Sequence, residues 1–175
     1  MKIKDYQDGA RSTAIYPTEA KIAYPALGLV GEIGELEARF IIDNGEDIEG
    51  IKGEIGDVLW YCANLCCDLQ MMLTDCLDLD MHADFSKINP ENLYVDDVIV
   101  EIGLIAEAAK KIIRDGALDK KKEIIRNRVG RILVHLQALA SFECGSSLGE
   151  IAAANLDKLQ GRKERGTLKG DGEER

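Results

Sequence analysis

Aromatic residues and proline are scarce in this sequence. Aromatics make up 5% of the 175 residues, and there are three prolines. Strands favour aromatic and β-branched residues, whereas Ala, Leu, Ile and Glu, which are abundant here, suit helices better. The composition therefore argues against an all-β sandwich and favours helices. With 46% apolar and 31% charged residues, the chain has the composition and length of one folded domain.

Positive charge is also in short supply. Lys and Arg number 22 against 32 Asp and Glu, which gives a net charge of -10. Binding of duplex DNA depends on neutralising its phosphates with basic residues, so duplex nucleic acid is not an expected partner. A nucleotide can still bind if a metal ion bridges the two sets of negative groups.

No apolar run is long enough to cross a membrane, and the first residues lack the apolar core of a signal peptide. Of the five cysteines, Cys62, Cys66 and Cys67 fall in an apolar helical stretch. This placement suits reduced, buried thiols, so we expect a cytoplasmic protein without membrane contact. A metal-thiolate site is disfavoured because no CxxC motif or nearby His accompanies these residues.

The spacing of apolar residues predicts five helices and hence an all-α fold. Asn44-Gly45 and Gly116 are helix stops, while Ser147 and Glu150 form a capping box. An acidic, irregular segment is expected from 74 to 92, and a non-periodic tail from 161 to 175. The predicted helices cover residues near 19–43, 48–73, 93–115, 118–142 and 148–160.

Two short segments recur later in the chain. GLVGE at 28–32 returns as GLIAE at 103–107, and IGDVL at 55–59 returns as VGRIL at 129–133. Because both segments recur in order and at nearly the same offset, they indicate a duplicated helical hairpin and a pseudo-symmetric four-helix bundle. Chance similarity between amphipathic helices is the alternative.

Four carboxylates are the most informative side chains. Glu32 and Glu35 lie three residues apart on one predicted helix, as do Glu54 and Asp57 on the next. Residues at i and i+3 share a helix face, and a short connection makes the two helices antiparallel neighbours. Crowded carboxylates repel one another unless a cation neutralises them, and oxygen ligands select Mg²⁺ or Mn²⁺. The alternative is a pair of solvated helix faces.

Glycine and aliphatic residues surround these acids. Gly28, Gly31, Gly34 and Gly56 interrupt helices at positions where alanine would be more stable by about 1 kcal/mol each, which predicts close helix approach. The apolar residues between them are predicted to form the core stripe: Leu29, Val30, Ile33, Leu36, Ile55, Val58 and Leu59.

The segments GLVGEIGEL (28–36) and EIGDVLWY (54–61) resemble the MazG-like nucleotide pyrophosphohydrolases, with their ExxE, spacer and ExxD pattern. That all-α superfamily includes dimeric dUTPases and dCTP pyrophosphatases. The chain start around Tyr6-Gln7 and the segment from Asn155 to Gly172 are similar to the same proteins. The resemblance covers both ends of the chain and the first hairpin.

The resemblance implies a MazG-like bundle that hydrolyses a nucleoside triphosphate, such as a deoxy or modified nucleotide, to the monophosphate and pyrophosphate. Glu32, Glu35, Glu54 and Asp57 would be both the catalytic residues and the ligands of Mg²⁺, for which Mn²⁺ could substitute. As an alternative, one of the four, either Glu32 or Glu35, is not a ligand and orients or deprotonates the attacking water. The resemblance further implies a role in nucleotide metabolism, either house-cleaning of damaged nucleotides or control of a nucleotide pool. A homodimer or higher homo-oligomer is expected, with the alternative that the duplicated hairpin makes one chain resemble a fused pair of shorter subunits.

Substrate contacts are expected from two places in the chain. Asn155 and Lys158 match an Asn-x-x-Lys pattern that faces the phosphates in the family, and Arg162 and Arg165 extend it. A charged, frayed C-terminus is the alternative for the arginines. Trp60 and Asn64 follow the metal residues by one and two turns and are candidates to meet the base, with core packing as the alternative for Trp60.

The second hairpin departs from the acidic pattern. Glu35 is matched there by Lys110, Glu54 by Arg128 and Asp57 by Arg131, so that only Glu107 keeps an acid. A basic pocket does not bind Mg²⁺, and we expect a structural role, with phosphate contact as the alternative.

Residues 1–175 thus form one predicted all-α domain. It has a catalytic hairpin at about 19–73, a degenerate copy at about 93–142, and a substrate-contacting helix and tail at 148–175. The alternatives to an enzyme are a catalytically inactive nucleotide-binding regulator and a helical interaction module.

Overall fold

The computed structural model describes residues 1–89 and 98–169, and this part of the chain is all-α. Three short 3₁₀ turns lie at Thr18–Ala20, Leu73–Leu77 and Phe85–Lys87. The α-helices are α1 (Ile3–Ser12), α2 (Ala23–Ile42), α3 (Ile48–Asp68), α4 (Val98–Asp115), α5 (Leu118–Phe142) and α6 (Leu148–Arg165).

The helix ends follow the local sequence. Asn44, Gly45 and Gly116 all have positive φ, as expected of residues that stop a helix. At the start of α6, the backbone N–H of Glu150 donates to Ser147 Oγ while the Glu150 carboxylate accepts from the Ser147 N–H, so the capping box is confirmed.

Three predicted bounds are wrong. The helix predicted from residue 19 begins at Ala23, because Ile22 has φ 67° and Pro25 lies in the first turn, where its missing N–H is not needed. The second predicted helix ends at Asp68 rather than near residue 73, and α6 continues to Arg165. Helix α1 was not predicted at all, and the predicted start of α4 near residue 93 lies outside the described residues.

Helix α3 lies at the centre of the bundle. It packs against α2 as a hairpin, and α1, α5 and α6 contact it from other sides. Helices α4 and α5 form a second hairpin, with α4 against α2 and α5 against α3. These contacts are compatible with a pseudo-symmetric bundle, while the duplication itself stays a prediction.

The predicted core stripe is buried except at Val30, whose side chain is 47% exposed. Close helix approach, predicted at four glycines, is found at Gly28 and Gly56 and not at Gly31 and Gly34. A Cβ on Gly28 would lie 2.0 Å from the Tyr61 ring, and one on Gly56 would lie 2.9 Å from Asn155. Val30, Gly31 and Gly34 are all exposed, and a Cβ on either of these two glycines would meet no described atom within 4 Å. The outer side of α2 is therefore not a packing face in the described part of the chain.

Cys62 and Cys66 are buried as predicted, whereas Cys67 is half-buried; all three are free thiols. None of the helices in the described residues has the length and apolar character needed to cross a membrane.

Candidate metal and nucleotide site

Three of the four predicted carboxylates meet between α2 and α3. Glu32 comes from the middle of α2, and Glu54 and Asp57 come from the first half of α3. One oxygen of each carboxylate lies within 4.8 Å of the others. Glu54 is buried, and the other two are half-buried at the rim. We call these three residues the acid cluster.

Glu35 lies beside the acid cluster but outside it. It is exposed one turn beyond Glu32, and its charge still acts on the site. Burial, together with the charges of Asp57, Glu35 and Glu54, raises the pKa of Glu32 to about 7, against a lowering effect of Lys158. The pKa of Glu54 is also raised, mainly by burial and partly by Glu35, against the lowering effect of Arg39. The structure therefore brings three of the four carboxylates together and leaves the fourth as a close neighbour.

Arg39 fixes one oxygen of Glu54. Its Nε and Nη2 donate to Glu54 Oε1 at 3.1 and 2.8 Å. Its Nη1 donates to Asp47 Oδ2 at 3.0 Å, and Asp47 in turn caps the N-terminus of α3 through the N–H of Gly50. Arg39 thus ties the end of α2 to the start of α3 at the acid cluster. Arg39 belongs to none of the predicted motifs, although it is the one basic residue within α2.

Asn155 and Lys158 reach the site from α6, and both contact Asp57. Lys158 Nζ lies 2.8 Å from each oxygen of Asp57. Asn155 Nδ2 donates to Asp57 Oδ1 at 2.8 Å. The two residues predicted to face phosphates therefore lie at the acid cluster, where they neutralise and orient one of its carboxylates.

A second contact holds Asn155 from behind. The hydroxyl of Tyr6, on α1, donates to Asn155 Oδ1 at 3.0 Å. Tyr6 belongs to the segment at the chain start that resembles the MazG-like proteins. No local pattern in α1 indicates its contact with α6.

A cavity of about 450 Å³ opens beside the acid cluster. Glu32 and Asp57 form one part of its wall, and Arg162 and Lys169 contribute positive charge. The rings of four aromatic residues form another part: Tyr16, Tyr24, Trp60 and Tyr61. Tyr16 and Tyr24 are stacked with centroids 4.8 Å apart, and Trp60 meets Tyr61 edge to face at 4.9 Å. Four of the nine aromatic residues in the chain thus surround one cavity.

Trp60 and Asn64 have different positions relative to this cavity. Trp60 lines it, and its Nε1 donates to Thr13 Oγ1 at 2.9 Å. Asn64 is fully buried one turn below, where its amide donates to the carbonyl of Trp60 and accepts from Arg11. Its polar atoms are therefore used inside the protein, and the structure places it under the cavity wall rather than on it.

The two arginines of α6 also differ. Arg162 is buried and lines the cavity, whereas Arg165 is exposed at the last residue of α6 and does not line it.

The second hairpin holds an ion cluster of its own. Glu101 is buried and accepts from Arg128 Nη1 and Arg131 Nη1, each at 3.1 Å. Glu107, which corresponds to Glu32 in the repeated segment, pairs with Lys110 and Lys111 on the surface. Hydrogen bonds from these two lysines lower the pKa of Glu107 to about 2. Arg128 and Arg131 thus share one buried acid, Glu101, which the repeated segments do not include.

Within residues 1–89 and 98–169, the acid cluster is the one group of three or more acidic, His or Cys residues placed to share a metal ion. This group lies at the first hairpin, where the metal site is predicted, and its use as a metal site stays a prediction. The second hairpin, with Arg128 and Arg131 against Glu101, presents no such group in the described residues.

Comparison with known proteins adds one relative. The chain is 32% identical over 88 residues to the Gene 37 protein of Mycobacterium phage L5, in a match that covers 42% of this chain and 77% of that protein. The fold defines an all-α protein, and the chain belongs to the same family as this phage protein. No family model matches the chain, and no solved structure matches it.

Proposed function

We propose that this protein is a MazG-like nucleoside triphosphate pyrophosphohydrolase that depends on Mg²⁺. It would cleave a nucleoside triphosphate, such as a deoxy or modified nucleotide, to the monophosphate and pyrophosphate. The observation that carries the proposal is the acid cluster at the mouth of an aromatic cavity. This pairing supports a ligand with an anionic end and a planar end.

The donor set fits Mg²⁺ or Mn²⁺. Glu32, Glu54 and Asp57 offer carboxylate oxygens alone, and hard divalent cations prefer such ligands. These three residues would hold the ion, which would supply positive charge near the phosphates and lower the pKa of a water molecule. Burial and the neighbouring carboxylates raise the pKa of Glu32, so the ionised form of this residue is disfavoured without a cation.

We assign to Glu35 the role of the general base that takes a proton from the attacking water. It lies beside the acid cluster without belonging to it, and its carboxylate is exposed. A carboxylate that is not a ligand keeps the lone pairs needed to accept a proton from water. The geometry thus favours Glu35 over Glu32 as the general base, a choice that the sequence left open.

The aromatic cavity is suited to the base and sugar. Rings such as those of Trp60 and Tyr61 offer flat apolar surface to a nucleobase. Arg162 and Lys169 line the same cavity, where they would offset the phosphate charge in a protein that is acidic overall. Lys158 pairs with Asp57 in this structure, and it would become the donor to a phosphate oxygen when a cation takes its place at Asp57.

A nucleotide screen tests the proposal. The protein is incubated with canonical and modified nucleoside triphosphates and Mg²⁺, and pyrophosphate release is measured. We expect release with at least one nucleotide, and loss of it in Glu35→Gln and Asp57→Asn variants whose helical content matches the wild type. Nucleotide binding without pyrophosphate release would favour the inactive regulator. Failure to bind either nucleotide or metal would favour the interaction module.

A further inference from the structure

Tyr6 is a fully buried polar group near the acid cluster. Its ring packs edge to face on Phe85, with centroids 5.8 Å apart. Its hydroxyl lies 3.0 Å from Asn155 Oδ1 and 3.4 Å from the carbonyl oxygen of Gly56. Both neighbours are acceptors, so the hydroxyl serves as a donor there.

This donor decides which way the Asn155 amide points. An amide presents an acceptor at one end and a donor at the other. With Oδ1 held by Tyr6, Nδ2 faces Asp57 Oδ1 and donates to it at 2.8 Å. The flipped amide would place its oxygen against a carboxylate oxygen and its NH₂ against the Tyr6 hydroxyl, which would remove the hydrogen bond to Asp57.

Close packing leaves the amide little other freedom. Asn155 is buried, and Gly56 provides the space beside it, because a Cβ at that position would lie 2.9 Å from Asn155 Nδ2 and 3.0 Å from its Cβ. Three helices therefore meet at this amide: α1 with Tyr6, α3 with Gly56 and Asp57, and α6 with Asn155 itself.

We propose that Tyr6 is a positioning residue of the metal site, which acts through the Asn155 amide to hold Asp57 Oδ1. This inference rests on the proposed function, because it treats Asp57 as a ligand. Groups that orient the ligands of a metal ion typically change its affinity by roughly 10- to 100-fold when removed. Tyr6 lies one hydrogen bond further away, so we expect a smaller effect from it.

A double-mutant cycle tests this role. Tyr6→Phe, Asn155→Ala and the double variant are compared by Mn²⁺ binding without nucleotide, measured by electron paramagnetic resonance. We expect Asn155→Ala to weaken binding at least about tenfold and Tyr6→Phe to weaken it about three- to tenfold, as for one lost hydrogen bond. The double variant should bind like Asn155→Ala, because the two residues act in series. Ser12→Ala is the control, since it removes a hydroxyl of α1 that donates only locally, to the carbonyl of Gly9.

The outcomes separate the two proposals. A wild-type protein that does not bind Mn²⁺ contradicts the proposed function. If the wild type binds Mn²⁺ but Tyr6→Phe binds it equally well, or if the two losses simply add, the positioning role of Tyr6 is wrong. If Tyr6→Phe does not fold, a nuclear Overhauser measurement on the wild type tests the orientation of the Asn155 amide instead. The Asn155 side-chain NH₂ should be closer to the Asp57 β-protons than to the Tyr6 ring, and the reverse order would overturn the inference.

Discussion

Replacing Lys158 with alanine should have opposite effects on metal and nucleotide. The Lys158 ammonium lies 2.8 Å from both oxygens of Asp57. It thus occupies the position at the edge of the acid cluster where a metal ion would bind Asp57. A divalent ion that binds Asp57 has to compete with it. Lys158→Ala removes the competitor, so the affinity for Mn²⁺ without nucleotide should rise.

The size of the effect follows from the exposure of the pair. The side chains of Lys158 and Asp57 are 32% and 30% exposed, so solvent screens the contact. A partly exposed pair of this kind contributes about 1 kcal/mol, which corresponds to about fivefold in affinity. Binding of a non-hydrolysable nucleoside triphosphate with Mg²⁺ should weaken instead, because a donor to the phosphates is lost.

Isothermal titration calorimetry measures both affinities in one protein preparation. The control is Lys163→Ala, which removes the same charge from α6, at a residue whose Nζ donates to the carbonyl of Ser12. If the competition argument holds, Lys163→Ala leaves Mn²⁺ affinity close to that of the wild type. Weaker Mn²⁺ binding in Lys158→Ala, or an equal gain in Lys163→Ala, would refute it.

Three further predictions concern stability and catalysis. Folding raises the pKa of Glu32 from its ordinary 4.5 to about 7, so the folded protein binds a proton at this carboxylate more tightly than the unfolded chain does. Without metal, the free energy of unfolding should therefore fall as pH rises from about 5 to about 7. Urea unfolding in EDTA measures this trend, which Glu32→Gln should abolish. Gly31→Ala should stabilise the protein by about 0.5–1 kcal/mol, whereas Gly56→Ala should destabilise it because the new Cβ would meet Asn155; thermal unfolding compares the two. Glu35→Gln should lower kcat by at least about 100-fold and leave the Mn²⁺ dissociation constant within about threefold of the wild type, and loss of Mn²⁺ binding would instead make Glu35 a ligand.

Local rules of sequence were enough for several parts of this structure. Helix ends at Gly116 and at the Ser147 cap depend on neighbouring residues alone, so they could be predicted from the sequence. The meeting of Glu32 with Glu54 and Asp57 needs only the i and i+3 spacing and a short connection between two helices. These features combine a helical period with one antiparallel turn, and both are visible in a sequence.

Contacts between distant segments could not be predicted in this way. Tyr6 and Asn155 are 149 residues apart, and nothing in their local sequences pairs them. Four aromatic residues from three separate segments surround the cavity, which exists only once α1 and α6 have packed on α3. The error at Val30 has a related cause: its apolar side chain suggested core, but burial depends on which face of α2 meets the neighbouring helices.

The second hairpin shows a further limit of comparing segments. The recurrence of 28–32 at 103–107 singled out Glu107 as the one acid that the second hairpin keeps. In the structure the acid that faces Arg128 and Arg131 is Glu101, nearly two turns earlier on α4. Alignment of a short motif shows which residues correspond along the helix. Which acid of α4 faces the arginines of α5 depends on how the two helices are rotated about their axes.

The most direct test of the central claim is the identity of the products. The protein is incubated with Mg²⁺ and the nucleoside triphosphate most active in the screen, and the reaction is followed by ³¹P nuclear magnetic resonance. A pyrophosphohydrolase yields nucleoside monophosphate and pyrophosphate in equal amounts, and the Asp57→Asn variant yields neither. Formation of nucleoside diphosphate and inorganic phosphate, or product formation that continues unchanged in Asp57→Asn, would contradict the proposed chemistry of this site.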